Sequence, residues 1–154
     1  MQIDTLNIVL ADDDLDDQFL FKMAIEESDV NSNLLIFNNG KEIMDHLLNV
    51  NNDLPDVVFL DLNMPIKDGL QCLKEIRSTD RLKNLSVAIY STSNSQRDID
   101  RTFATGANVY IHKPSSFEGI KKAFKKVLEI NWQYATSNLN KDTFLLKIWS
   151  PFIF

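Results

Sequence analysis

The sequence predicts an α/β fold, a doubly wound five-stranded parallel sheet, and three observations carry that reading. Five short apolar runs lie along the chain, most without the alternation of a half-exposed strand, as suits strands covered on both faces. An amphipathic stretch with helical spacing follows each run. The alternation is regular up to about residue 128 of a chain whose 154 residues fit one domain plus a tail, and right-handed crossovers then place helices on both faces of a single sheet.

Taken in order, residues 8–11 (Ile8, Val9, Leu10, Ala11) form the first apolar run, which ends abruptly in Asp12, Asp13 and Asp14. From 16 to 28, Leu20, Phe21, Ala24 and Ile25 follow helical spacing, with acids in the first turn where the helix dipole favours them. Residues 34–37 read as the second strand, Asn38-Asn39-Gly40 as a turn, and Ile43, Met44, Leu47 and Leu48 as the buried stripe of the second helix. Pro55 introduces the third strand, residues 57–60, which ends at Asp61; Leu70, Leu73 and Ile76 mark the third helix. Residues 87–90 form the fourth strand, followed by the hydroxyls of Ser91, Thr92, Ser93 and Ser95 and a helix that closes near Gly106. Residues 109–111 form the fifth strand. Phe117, Ile120, Phe124, Val127 and Leu128 then lie on one helical stripe, and Lys121, Lys122, Lys125 and Lys126 opposite them read as a solvated face.

Charge narrows the function. A net charge of -6 leaves no basic face with which to neutralise nucleic-acid phosphates, so no nucleic-acid partner is expected. No apolar stretch approaches the length that crosses a bilayer and no basic flank precedes the first run, so no membrane partner and a cytoplasmic location are expected. The lone Cys72 excludes an internal disulfide and an all-cysteine metal site, and reads as packing.

Strand ends are where a doubly wound sheet builds its site. Asp12 and Asp13 end the first strand, Asp61 the third, Ser91 the fourth and Lys113 the fifth. If the first and third strands are adjacent, three carboxylates share one depression. At an effective dielectric of about 20, two unit charges 4 Å apart repel by roughly 4 kcal/mol, so such a site raises a carboxylate pKa or captures a cation. The donors are all oxygens, which favours Mg²⁺ over zinc. Asp61 can then act as nucleophile toward a phosphoryl donor, with Lys113 neutralising the phosphoryl oxygens and the Ser91 hydroxyl donating to one of them. Singly, each of these residues has a plain reading as a cap, turn or strand end; their order along the chain is what singles them out.

Asp12-Asp13, Asp61-Leu62-Asn63-Met64-Pro65 with Gly69, Ser91, Tyr110 and Lys113-Pro114 together resemble the receiver domain of two-component response regulators, over residues 8–131. The resemblance implies a flavodoxin-like strand order, 2-1-3-4-5, and a phosphorelay component that is not an enzyme acting on other substrates but a phosphoacceptor catalysing its own phosphorylation and dephosphorylation. By it, Asp61 is the phosphoacceptor; Asp13, Asp61 and the backbone carbonyl of Asn63 hold Mg²⁺ directly, and Asp12 holds it through water. Lys113 pairs with the phosphoryl group, Ser91 moves toward it, and Tyr110 rotates inward. The donor is a sensor histidine kinase or a histidine phosphotransfer protein, and the switched surface is the face of the fourth helix, fifth strand and fifth helix. Ser91 stands where Thr is frequent in the family, and Thr92 where a smaller residue often leaves room for the donor.

The domain reading is a receiver over 6–131 and an aromatic-rich extension over 132–154, with no output domain. Trp132, Tyr134, Phe144, Leu145, Leu146, Ile148, Trp149, Phe152, Ile153 and Phe154 in that extension are too apolar to stand exposed. The extension is expected to pack on its own domain or to support a homodimer, the 4-5-5 face being a second surface for such pairing; stand-alone receivers paired with phytochrome-like kinases end in a similar way. A flavin-binding electron carrier would need a neutral phosphate loop where Asp12 to Asp14 stand. A phosphohydrolase with an aspartate nucleophile needs a second carboxylate where Asn63 stands. A phosphorylation-independent module would typically lose part of the acidic set, which is complete here.

Overall fold

The computed structural model describes residues 5–129. Its elements run β1 (Leu6–Ala11), α1 (Leu15–Glu26), β2 (Ser32–Phe37), α2 (Gly40–Leu48), β3 (Val57–Leu60), α3 (Gly69–Ser78), β4 (Val87–Ser91), α4 (Gln96–Thr105), β5 (Val109–His112) and α5 (Phe117–Glu129). The strands form one parallel sheet ordered β2-β1-β3-β4-β5, which is the predicted fold and order. The register sets Ala11 beside Leu60, and Ser91 beside His112, so the polar residues that follow these strands emerge along one edge.

Each strand contributes to two cores because successive side chains point to opposite faces. Val9, Ala11, Val58, Leu60, Val87 and Ile89 meet Ile43, Leu47, Leu73, Ile76 and Ile99 of α2, α3 and α4. Ile8, Leu10, Phe59, Ala88 and Tyr90 meet Phe21, Ile25, Phe124 and Val127 of α1 and α5. Phe21 anchors the second core edge-on, 4.9 Å from the Phe59 ring and 5.9 Å from that of Phe124. β1, β3 and β4 have neighbours on both sides, which explains their apolar runs.

The structure moves several predicted boundaries. β1 and β2 begin two residues earlier than the apolar runs, because backbone pairing of Leu6 with Ser32 and Asn7 with Asn33 carries the ladder through polar side chains. Asn38-Asn39-Gly40 is not a turn. Asn39 caps α2, accepting from the Glu42 N–H, and Gly40 is the first helical residue. Ser91 belongs to β4 itself rather than to the loop after it. α1 stops at Glu26, short of the expected residue 28. The closure of α4 at Gly106 stands, with that glycine in the left-handed region at φ 105°.

Cys72 is buried in the first core, its thiol pushed up to about 12 by that burial, as the packing reading requires. Lys122, Lys125 and Lys126 are exposed, as expected of a solvated face, and Lys121 reaches Glu118 at 2.9 Å. Among the described residues no helix is long and apolar enough to cross a membrane. The extension over 132–154, with its expected packing or pairing, lies outside the described residues.

Candidate functional site

The site is assembled by backbone ties between strand ends. The Asp61 N–H donates to the Ala11 carbonyl at 3.0 Å, the Asp12 N–H to Phe37 at 3.0 Å and the Lys113 N–H to Ser91 at 2.7 Å, so β2, β1, β3, β4 and β5 deliver their last residues to one edge. Asp14 follows at once as the cap of α1, and its N–H donates to Asp12 Oδ1 at 3.0 Å, which holds that carboxylate over the strand ends. After Asp61 the chain doubles back sharply: the Gly69 N–H bonds the Leu62 carbonyl at 2.9 Å, and a Cβ on Gly69 would collide with the Asp61 carbonyl oxygen.

The acids converge as the sequence predicts. Carboxylate oxygens of Asp12, Asp13 and Asp61 lie within 4.8 Å of one another. Asp12 is fully buried and Asp61 is 5% exposed, whereas Asp13 faces solvent. Lys113 reaches into the group, its Nζ 2.7 Å from Asp12 Oδ2 and 3.2 Å from Asp61 Oδ2. Asn63 is exposed, two residues beyond Asp61, and its backbone N–H and that of Leu62 donate to the Asp61 carboxylate.

Burial dominates the electrostatics. Loss of hydration pushes Asp12 up to about 6, although Lys113 and the Asp14 N–H both pull it down. Asp61 is raised for the same reason, against the attraction of Lys113 and the two backbone donors. Burial pulls the Lys113 ammonium down, but hydrogen bonds and charges from Asp12, Asp17 and Asp61 reverse this, and its pKa lies above the ordinary lysine value. One ammonium cannot neutralise all of these carboxylates. A buried set of oxygen donors with surplus negative charge fits a hard divalent cation such as Mg²⁺, and nitrogen or sulfur ligands take no part in the cluster.

Two residues of the site escape a reading of the sequence. Asp17, one of several acids in the first turn of α1, brings its Oδ2 to 2.8 Å from Lys113 Nζ. Tyr90, inside the apolar run of β4, lays its ring 5.4 Å from the same ammonium, within cation–π range. The hint for Asp17 is that it is the third residue of a helix whose cap follows Asp12 and Asp13, so the first turn brings it back over the strand ends.

Ser91 and Tyr110 belong to a neighbouring network. Ser91 is fully buried, and its hydroxyl oxygen accepts from the Ser93 N–H at 3.1 Å. Tyr110 is fully buried as well, and its hydroxyl donates to the Ser93 carbonyl at 2.7 Å. The inward position that the sequence reading assigns to Tyr110 after rotation is therefore the one the ring already occupies. Ser93 Oγ also donates to Asp98 Oδ2 at 2.6 Å, and His112 Nε2 lies 2.9 Å from the Thr92 carbonyl, so the β4–α4 loop is tied on both sides.

Comparison with known proteins agrees with this geometry. The model of the response regulator receiver domain matches residues 8–125. The chain is 30% identical over 129 residues to a probable methanogenesis regulatory protein, FilR2, of Methanothrix harundinacea, covering 82% of this chain and 83% of that one. It is 30% identical over 124 residues to the response regulator Rcp1 of Synechocystis, covering 78% of this chain and 82% of the relative. Among solved structures, the phosphorylated cyanobacterial phytochrome response regulator RcpA superposes with a TM-score of 0.76 at 32% identity, over 82% of this chain and 93% of its own. The Mn²⁺-bound form of Rcp1 superposes with a TM-score of 0.75 at 27% identity, over 80% and 95%.

Proposed function

The chain belongs to the response regulator receiver domain family, and from that premise we propose that Asp61 is its phosphoacceptor, in a site where Asp12, Asp13 and the Asn63 carbonyl take part in holding the divalent cation that receivers use. The observation that supports this most is the meeting of Asp12, Asp13 and Asp61 at the carboxyl ends of β1 and β3, with Lys113 from the end of β5 reaching Asp12 and Asp61. Receivers interact with histidine kinases. The donor proposed here is a phosphohistidine on a sensor kinase or a phosphotransfer protein, and the likeness to RcpA points to a phytochrome-like kinase among them.

A carboxylate oxygen of Asp61 forms the new bond to phosphorus while the bond from phosphorus to the donor imidazole breaks, and its electron pair leaves with the imidazole nitrogen. The backbone N–H groups of Leu62 and Asn63 hold the Asp61 carboxylate in place. Lys113, 3.2 Å from Asp61, lies close enough to neutralise a transferred phosphoryl oxygen, and Ser91 supplies a hydroxyl donor from the end of β4. When bound, the cation screens the charge of donor and acceptor as they approach. Hydrolysis removes the group by a separate step: water attacks phosphorus, the bond from phosphorus to the Asp61 oxygen breaks with its electron pair staying on the carboxylate, and inorganic phosphate and a proton leave. Both steps use the chain's own residues, so the protein promotes its own phosphorylation and dephosphorylation.

The signal leaves through the β4–α4 loop. Turning the Ser91 hydroxyl toward the phosphoryl disturbs its contact with Ser93, which also binds Tyr110 and Asp98, and so reaches the α4-β5-α5 face. Residues 6–131 form the receiver and 132–154 an extension beyond it, in a cytoplasmic protein that pairs through the extension or through the α4-β5-α5 face. Removing the residues after Ser137 and measuring mass by light scattering tests the first of these; an unchanged oligomer rules out pairing through the extension. The central reading is tested by incubation with acetyl phosphate and Mg²⁺. Intact mass should rise by one phosphoryl group in the wild type and stay constant in Asp61→Asn, and labelling that survives the substitution refutes the assignment.

A further inference from the structure

Asp17 makes a contact that the reaction as described does not use. Its Oδ2 lies 2.8 Å from Lys113 Nζ, nearly as close as Asp12 at 2.7 Å and closer than Asp61 at 3.2 Å. The ammonium donates hydrogen bonds to Asp17 and Asp61, while Asp12 Oδ2, though 2.7 Å away, is paired by charge alone and is left without a hydrogen-bond donor. Two of those carboxylates, Asp12 and Asp61, also belong to the oxygen cluster with Asp13; Asp17 does not. Its backbone is fixed independently, since the Asp17 N–H donates to Asp14 Oδ1 at 3.0 Å in the cap of α1. The Asp17 side chain is 31% exposed and that of Lys113 only 6%, so the contact sits at the mouth of the site and draws the ammonium toward α1.

We infer that Asp17 is a positioning residue that shares the Lys113 ammonium and draws it toward α1, so that it covers less of the Asp12 and Asp61 charge that the cation and the phosphoryl donor use. Without it, the ammonium has only Asp12 and Asp61 to pair with and moves deeper between them, where it competes more strongly with a divalent cation for the same oxygens. The contact with Asp61, the longest of the three, is the one a phosphoryl oxygen replaces; Asp17 keeps the lysine anchored while that exchange occurs. The inference rests on the reading of Asp61 as phosphoacceptor for its consequence, but its first effect, on cation affinity, is measurable without any transfer.

The test is Mg²⁺ titration by calorimetry on the full chain, with circular dichroism to establish that each variant is folded. Asp17→Ala should weaken Mg²⁺ binding about threefold to tenfold beyond the effect of Asp16→Asn, which removes the same charge from the same helical turn, and Asp17→Glu should restore most of the loss. In a Lys113→Ala background, Asp17→Ala should have no effect beyond that of lost charge. Acetyl phosphate labelling of Asp17→Ala should need correspondingly more Mg²⁺ for half-maximal rate. Equal Mg²⁺ affinities for Asp17→Ala and Asp16→Asn, or an undiminished Asp17 effect when Lys113 is absent, overturn the inference and leave the phosphoacceptor reading intact. A wild type that binds Mg²⁺ but takes no label overturns that reading instead, and the titrations still decide the role of Asp17.

Discussion

Metal-free protein should become more stable as pH falls from 7 to 5, opposite to the behaviour of a protein whose acids are stabilised by folding. Asp12 ordinarily titrates at 3.8 and in the fold is pushed up to about 6 by burial, so the folded state binds its proton more tightly than the unfolded chain. The stability attached to this proton is complete below about pH 4 and is lost as pH rises through 6. Keeping this carboxyl ionised in the fold costs on the order of 3 kcal/mol at pH 7, of which somewhat less than half returns by pH 5. Asp61, raised for the same reason, acts in the same direction. For a domain of this size, each kcal/mol regained corresponds to a rise in Tm of about 3–4 °C. Calorimetric melting in EDTA at pH 7, 6 and 5 measures it. Asp12→Asn should raise Tm at pH 7 and lose most of the pH-dependent gain, while Lys113 keeps Asp17 and Asp61 as partners. With Mg²⁺ at about ten times its dissociation constant, the ionised carboxylates gain roughly 1.4 kcal/mol and the slope should flatten or reverse. A metal-free wild type that loses stability steadily from pH 7 to 5, or an Asp12→Asn protein that keeps the wild-type slope, refutes the reasoning.

Other perturbations have equally direct readouts. Ile66, β-branched and 75% exposed, sits at φ 71°, where side chains are strained, so Ile66→Asn should stabilise the fold by about 0.5–1 kcal/mol in urea denaturation. Gly69→Ala drives a Cβ into the Asp61 carbonyl and should cost several kcal/mol, on the order of 3, with loss of acetyl phosphate labelling in whatever fraction folds. Tyr110→Phe removes one hydrogen bond to Ser93 and should cost about 1 kcal/mol in the same denaturation assay. Cys72, buried and with its thiol pushed up to about 12, should resist iodoacetamide in the native protein and react once it is unfolded.

The parts of this structure legible in the sequence are those that burial on both faces imposes. Val57, Val58, Phe59 and Leu60 have no exposed side, so their run had to be apolar, and its end had to fall at Asp61. The same argument located Asp12, Ser91 and Lys113, and parallel order did the rest. Ser32 and Asn33 were illegible because a ladder is made by backbone groups and β2, at the sheet edge, tolerates polar side chains. Asn39 reads in the sequence as a turn residue because the same side chain favours turns and helix caps, and only the accepted bond from Glu42 separates the two. Asp17 was hidden by its neighbours: an acid in a first turn satisfies the helix dipole whether or not it meets a lysine 96 residues away. Tyr110 shows a different limit, since a sequence places the ring on β5 but does not choose its rotamer.

Those limits share a cause with the chemistry. The pattern of apolar residues reports what folding stabilises, while the site is where folding opposes itself: Asp12 and Asp61 are buried at the expense of their hydration, and one lysine is shared among them and Asp17. A core of hydrocarbon would be more stable at that sheet edge. What the buried acids retain is an unmet demand for positive charge, largest at neutral pH. A divalent cation meets that demand, and a phosphoryl group, which brings about two negative charges of its own, renews it. Cation and phosphoryl should therefore each strengthen the binding of the other, by an amount set by how much carboxylate charge Lys113 leaves uncovered. That makes the division of one ammonium among three acids the quantity that governs how readily this domain is charged and how long it stays so.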